Sequence, residues 1–346
     1  MNNNDLQIRA LEEWSLTAWC RLCFMAFKDV IDEKKGIYHN ILEPIWLQVV
    51  EEAAELAEAH RYMETKSIED NISGVFAWFC IFIESLKEEI KTQDGKSVFI
   101  EVLKDRVKQH LQRVFGEVEI NFQNIMRHIE TYYADYMVFL KYPYHCPFCA
   151  CEENCNCLGM TKEEYDVRKK LFEGELIITR LFEKLCEKNK IKLSSNNTVK
   201  IDLPNSLLKW RKIFDKIYGR LLRVQVLEQV GFHLSEEIGE VARALRKLRE
   251  VENRGEIEEI KREMKNLQNE LADVFDWLIA IIKKIEIMTG KEKEEEIVIR
   301  ISELVMRHPK YGRGIRKVLQ NAFRAVSYTH LRAHETEADL VCRLLL

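Results

Sequence analysis

Two groups of side chains in this sequence combine residue types and spacings that do chemistry. The first is acidic. Glu236-Glu237-Ile-Gly-Glu240 sits in a stretch whose apolar residues Leu234, Ile238, Val241, Leu245 and Leu248 recur at helical spacing. Further along, Glu270-Leu-Ala-Asp273 opens a run, Leu271–Ile282, that is apolar on almost every side, the pattern of a helix buried in a bundle. Glu237 and Glu240 share a helix face at i,i+3 spacing, and so do Glu270 and Asp273. Burying an unpaired carboxylate costs several kcal/mol, so four of them converging from two helices require a cation between them. A hard, oxygen-seeking ion such as Mg²⁺ fits, and it also bridges to phosphate oxygens. Glu237, Glu240, Glu270 and Asp273 are therefore the candidate metal-binding residues.

The second group is sulfur-rich: His145-Cys146-Pro-Phe-Cys149-Ala-Cys151-Glu-Glu-Asn-Cys155-Asn-Cys157. One CxxC and one CxC spacing let thiolates wrap a single ion, the arrangement of a tetrahedral zinc site. Cys146, Cys149, Cys155 and Cys157 are the expected Zn²⁺ ligands, with Cys151 or His145 in reserve. A closed set of four ligands argues for a structural site, since a catalytic one keeps a position open. Cys20-Arg-Leu-Cys23 lies among Trp19, Leu22 and Phe24 and reads as buried free thiols. The sequence has no Walker-type phosphate loop, no Gly-x-Ser-x-Gly elbow and no His-Glu-x-x-His helix.

The elements that must position these groups are helical. Apolar residues recur at helical spacing through nearly the whole chain, without convincing two-residue alternation, and Gly (13) and Pro (5) are scarce. The expected fold class is all-α, with helices near 6–33, 40–64, 68–92, 97–140, 161–190, 206–250, 256–288 and 292–307. Lys190–Ser206, rich in Ser and Asn, reads as a linker. The halves contain an internal repeat: LEPIWLQVVEEAAELAEAHR at Leu42–Arg61 answers LEQVGFHLSEEIGEVARALR at Leu227–Arg246, and VFAWF at Val75–Phe79 answers VFDWL at Val274–Leu278. The expected organisation is a helical domain at 1–140, the Cys-rich segment at 141–160, a helix and linker at 161–206, and a second helical domain at 207–325. Residues 326–346 (VSYTHLRAHETEADLVCRLLL) resemble a translated adaptor. His330, His334 and Cys342 within them are set aside as non-native.

The string EEIGE followed by ELAD resembles the ExxE…ExxD motif of the MazG-like all-α nucleoside triphosphate pyrophosphohydrolases, well over Leu207–Gly290 and weakly over Tyr38–Thr92. The resemblance implies tandem helical bundles and Mg²⁺-dependent hydrolysis of a nucleoside triphosphate to the monophosphate and pyrophosphate. It makes Glu237, Glu240, Glu270 and Asp273 the catalytic metal ligands, one of them helping to deprotonate the attacking water, with Glu236 a further candidate ligand. It also implies bundles that pair, as a pseudo-dimer within the chain or as a homo-oligomer. The first copy departs from the motif. Glu52 and Glu55 match Glu237 and Glu240, but Asn71 and Gly74 stand where Glu270 and Asp273 stand in the second, so it reads as a degenerate repeat. A non-catalytic MazG-like scaffold or regulatory subunit is the alternative. Arg243, Arg246 and Lys247 are candidates to reach phosphates, and Phe232, Trp277 and Trp46 to stack on a base.

Composition sets the outer bounds. A formal net charge of −4 gives no general attraction to nucleic acid or anionic lipid, so neither is expected as a partner. No apolar run approaches the roughly 20 residues of a membrane span, and the N-terminus lacks a secretory pattern. The expected location is cytoplasmic and reducing, where thiols stay free of disulfides.

Overall fold

A computed structural model of the chain describes residues 10–328, apart from 39, 63, 93, 117, 156, 158–162, 164–175 and 291–298. Among these residues the chain is all-α, with thirteen helices and a single two-stranded hairpin. The helices are α1 (Leu16–Ala26), α2 (Lys28–Ile37), α3 (Leu42–Arg61), α4 (Thr65–Glu89), α5 (Val98–Phe115), α6 (Gln123–Thr131) and α7 (Tyr133–Lys141). After them come α8 (Leu176–Glu187), β1 (Ile191–Leu193), β2 (Val199–Ile201), α9 (Leu207–Val224), α10 (Leu227–Arg254), α11 (Ile257–Met288), α12 (Ile301–Arg307) and α13 (Tyr311–Tyr328). Most of the first half of the expected 161–190 helix, and Thr329–Leu346 with His330, His334 and Cys342, lie outside the described residues. No described helix is long and apolar enough to cross a membrane.

Local chemistry explains where elements begin and end. The Ser15 hydroxyl accepts the Ala18 N–H at 3.0 Å and starts α1. The single expected helix over 206–250 breaks before Leu227, where Val226 is extended (φ −87°, ψ 156°). The stretch expected as one helix over 97–140 is three, the first ending at Gly116 (φ 69°). Lys190–Ser206 is not a bare linker. Ile191 pairs with Ile201 and Leu193 with Val199 in an antiparallel hairpin, with Asn197 at φ 54° in its turn. Strands this short show too few alternations to stand out in a helical sequence. Helix α13, beyond the last expected helix, was not anticipated at all.

The two copies of the repeat form two helical hairpins, α3–α4 and α10–α11. Gly255, at φ 72°, supplies the left-handed turn that joins α10 to α11. The division of the chain differs from the expected one. One compact unit takes in the described residues of Met1–Lys91, Asn205–Leu208 and Glu292–Leu346, and the other those of Thr92–Pro204 and Lys209–Lys291. The expected boundary at 140 thus falls inside a unit, while that at 207 lies in the short stretch Asn205–Leu208 where the chain passes from one unit to the other. The physical reason is that a two-helix hairpin cannot cover its own apolar surface. In the first unit α4 is buried by α1, α12 and α13. In the second, α11 is buried by α5 and α7, and by the aromatic rings of Trp210 and Phe214 on α9. Each hairpin completes its core with helices distant in sequence, which proximity along the chain does not reveal.

Candidate functional site

In the second unit, the amphipathic stripe of α10 packs on the nearly all-apolar α11, and the acids at its edge meet those of α11. One carboxylate oxygen each of Glu237, Glu240 and Glu270 lie within 4.8 Å of one another, and all three side chains are half-buried. This is the convergence that the ExxE and ExxD spacing predicts for these residues. Asp273 is placed differently. It is buried, outside that three-residue set, and its carboxylate is bonded to a segment beyond the hairpin: Lys141 Nζ donates to Oδ2, and the Tyr142 hydroxyl donates to Oδ1 at 2.5 Å. Its charge nevertheless acts on Glu237.

The electrostatics follow from burial. Desolvation pushes Glu237 up to about 8, with the Asp273 charge adding to it. Desolvation also pushes Glu270 up to about 7, opposed by the charge of Lys141. Asp273 is raised by burial too, against the lowering effect of Lys141 and Tyr142. Asp276, one turn along and equally buried, is held far above the usual carboxylate range by desolvation and then by Asp273. The set is short of positive charge, as a cation site would be.

Most of the other expected residues lie outside this cluster. Glu236 lies outside it, with its side chain 66% exposed and 3.7 Å from His233. Arg243 donates to Glu240, one turn along α10 and at the rim of the cluster. Arg246 donates to Glu250 at 2.7 Å, away on the exposed face, and Lys247 is exposed. The Trp277 ring is stacked on His233, centroids 4.4 Å apart, and Phe232 is exposed. Trp46 belongs to the core of the first unit, edge-on to Phe82, and offers no face to a base. Glu263 is buried and accepts from Asn266 at 3.1 Å. Sequence reasoning missed Lys141 and Tyr142. They follow an apolar run as an ordinary helix terminus, and no spacing ties them to an acid more than a hundred residues away.

The first unit shows what became of the other copy. Glu52 lies on α3 against α4 at Gly74, where a β-carbon would overlap its carboxylate. The Tyr311 hydroxyl donates to Glu52 Oε1, and burial raises the Glu52 pKa. Glu55 is exposed. Among the described residues, no acidic cluster forms here comparable to that of the second unit.

The sulfur group is compact. The Sγ atoms of Cys146, Cys149, Cys155 and Cys157 lie within 4.8 Å of one another and none is in a disulfide. Cys155 Sγ is 3.4 Å from Cys146 and 3.0 Å from Cys157. The turn is closed by two backbone bonds, Ala150 N–H to Cys146 O and Cys146 N–H to Cys151 O, both 2.9 Å. Hydrogen bonds from Cys149 and its neighbours lower the Cys146 thiol pKa, favouring a thiolate there. Four sulfur donors at this spacing suit a soft metal ion such as zinc. Of the reserve candidates, Cys151 is not one of the four mutually close sulfurs but lies beside them, its Sγ 3.1 Å from that of Cys149, and His145 is held by the Pro143 carbonyl at 2.8 Å and lies 3.3 Å from Glu152. Cys20 and Cys23 are buried thiols outside any disulfide, in the first unit. No family model matches the chain, and neither does any curated protein or solved structure.

Proposed function

We propose that the second unit is a Mg²⁺-dependent nucleoside triphosphate pyrophosphohydrolase, releasing the monophosphate and pyrophosphate, of the MazG-like type its motif resembles. The observation that carries this reading is the convergence of Glu237, Glu240 and Glu270 from the two helices of one hairpin, beside the buried Asp273. The donor set is all hard oxygen, which suits Mg²⁺ and not a soft ion. When bound, the ion neutralises phosphate oxygens and acidifies a coordinated water. Glu237, Glu240 and Glu270 would hold it, and one carboxylate of the set accepts the proton of the attacking water. Arg243 needs only to leave Glu240 to meet a phosphate at the rim. Cys146, Cys149, Cys155 and Cys157 are proposed to hold a structural Zn²⁺.

The test is pyrophosphate release from a panel of nucleoside triphosphates with and without Mg²⁺. Mg²⁺-dependent release supports the reading, and no release across the panel overturns it. For the first unit a non-catalytic, scaffolding role is favoured, because Glu52 there is already engaged by Tyr311 and closed in by Gly74.

A further inference from the structure

Asp273 takes its two side-chain hydrogen bonds from consecutive residues, Lys141 and Tyr142, at the end of α7. Tyr142 is buried, its ring edge-on to Phe214 at 5.4 Å. A few residues on, Cys146 begins the thiol cluster, and the far side of that cluster is fastened to α9. Asn154 N–H donates to the Lys216 carbonyl at 3.0 Å and Cys155 N–H to the Ile217 carbonyl at 2.6 Å. Phe148 and Tyr218 pack against the buried cluster of Cys146, Cys155 and Ile217. The segment from Lys141 to Cys157 is therefore held at one end by the acidic residues and at the other by the cysteines.

The first unit contains a related arrangement from an unrelated stretch of chain. Lys310 and Tyr311 are again consecutive. The Tyr311 hydroxyl donates to Glu52, and the Lys310 charge acts on that carboxylate. Each repeat hairpin thus has one buried or half-buried acid met by a Lys-Tyr pair from outside the hairpin. The flanking sequences, LKYPYH and PKYGRG, share nothing else. That recurrence, beside an acid in both units, is difficult to ascribe to core filling.

We infer that Tyr142, backed by Lys141 and anchored by the cysteine cluster, is the positioning residue that aims Asp273 at the three glutamates. The inference rests on reading the acidic cluster as a divalent-cation site. A hydroxyl on one carboxylate oxygen fixes the plane of the group and leaves its orientation toward a metal defined, as outer partners of metal sites do. Lys141 compensates the buried charge until a metal ion shares it. The cysteine cluster fixes the register of the segment that carries both residues.

The experiment is a Mn²⁺ titration of the full-length protein, followed by the loss of the free-ion EPR signal. Mn²⁺ stands in for Mg²⁺. Tyr142→Phe, which removes one oxygen, weakens Mn²⁺ binding by roughly 10–100-fold while helicity by circular dichroism is unchanged. Cys149→Ser/Cys157→Ser, a pair chosen because these thiols are half-buried whereas Cys146 and Cys155 are fully buried, weakens it to a similar degree. The triple variant is no weaker than either, because both act through the same residue. Wild-type affinity in Tyr142→Phe, or losses that multiply in the triple variant, overturns the inference alone. A wild-type protein that binds no Mn²⁺ overturns it together with the cation-site reading beneath it.

Discussion

Glu52 and Gly74 are fitted to each other: the Glu52 carboxylate occupies the space that a β-carbon at position 74 would need. Gly74 is also the residue that stands where the second repeat has Asp273. The first copy has no acid at that position; the Glu52 carboxylate fills the space and is held by Tyr311. On the proposed function, the expected consequence is an asymmetry between the two repeats in catalysis. Glu52→Gln with Glu55→Gln leaves pyrophosphate release within a few-fold of wild type, while Glu237→Gln with Glu240→Gln eliminates it. Equal loss in both double variants, measured side by side, would show that the first copy contributes to turnover.

Substitutions within the second cluster separate two kinds of acid. Glu240→Gln and Asp273→Asn both abolish Mg²⁺-dependent hydrolysis, but they differ in stability. Asp273 is the buried partner of Lys141 and Tyr142. Asp273→Asn strips Lys141 of its counter-charge, a loss of about 3–5 kcal/mol for a broken buried pair. Glu270→Gln removes a carboxylate raised by burial, so the metal-free protein holds its stability or gains some. Chemical denaturation of the metal-free variants checks this contrast. An Asp273→Asn protein as stable as Glu270→Gln refutes the assigned pairing.

The sequence made the helical class, the repeat, the three converging glutamates and the four cysteines legible, for one reason. Each is a local pattern, in which i,i+3 acids on an amphipathic stripe or closely spaced thiols suffice to define the geometry. What it concealed is long-range. Lys141 and Tyr142 meet Asp273 across the chain, α12 and α13 complete the core of the first unit, and Trp46 lies in a core that its helical spacing fits equally well. The cysteine cluster is distant from the acids in sequence. Yet Tyr142, bonded to Asp273, is only a few residues from Cys146.

Metal analysis tests the cysteine cluster directly. Protein purified without chelator carries about one equivalent of zinc per chain, the stoichiometry of a single four-thiolate site. Cys149→Ser/Cys157→Ser loses it, and adding excess Mg²⁺ does not displace it from wild type, since thiolates prefer the softer ion. Zinc-free wild-type protein, prepared under reducing conditions, rules the site out.

The acidic cluster also sets a pH dependence, whose sign follows from burial. Glu237 is held at about 8 and Glu270 at about 7, both above their ordinary 4.5. Between the ordinary value and the folded one, the native state binds more protons than the unfolded chain. Stability of the metal-free protein therefore falls as pH rises, because unfolding releases the protons that ionisation in the native cluster resists. The contribution is favourable below about pH 5 and is lost progressively through about pH 8. A bound divalent cation reverses the trend, since it favours the ionised carboxylates, so Mg²⁺ raises the melting temperature more at pH 8 than at pH 5. Glu237→Gln removes one of the titrating groups and flattens the metal-free profile while leaving its acid end in place. Thermal melts of wild type and Glu237→Gln across this range, with and without Mg²⁺, decide the matter. A metal-free wild type whose melting temperature is level or rises from pH 5 to pH 8, with no difference from Glu237→Gln, would mean that the glutamates are solvated and do not form a buried cluster.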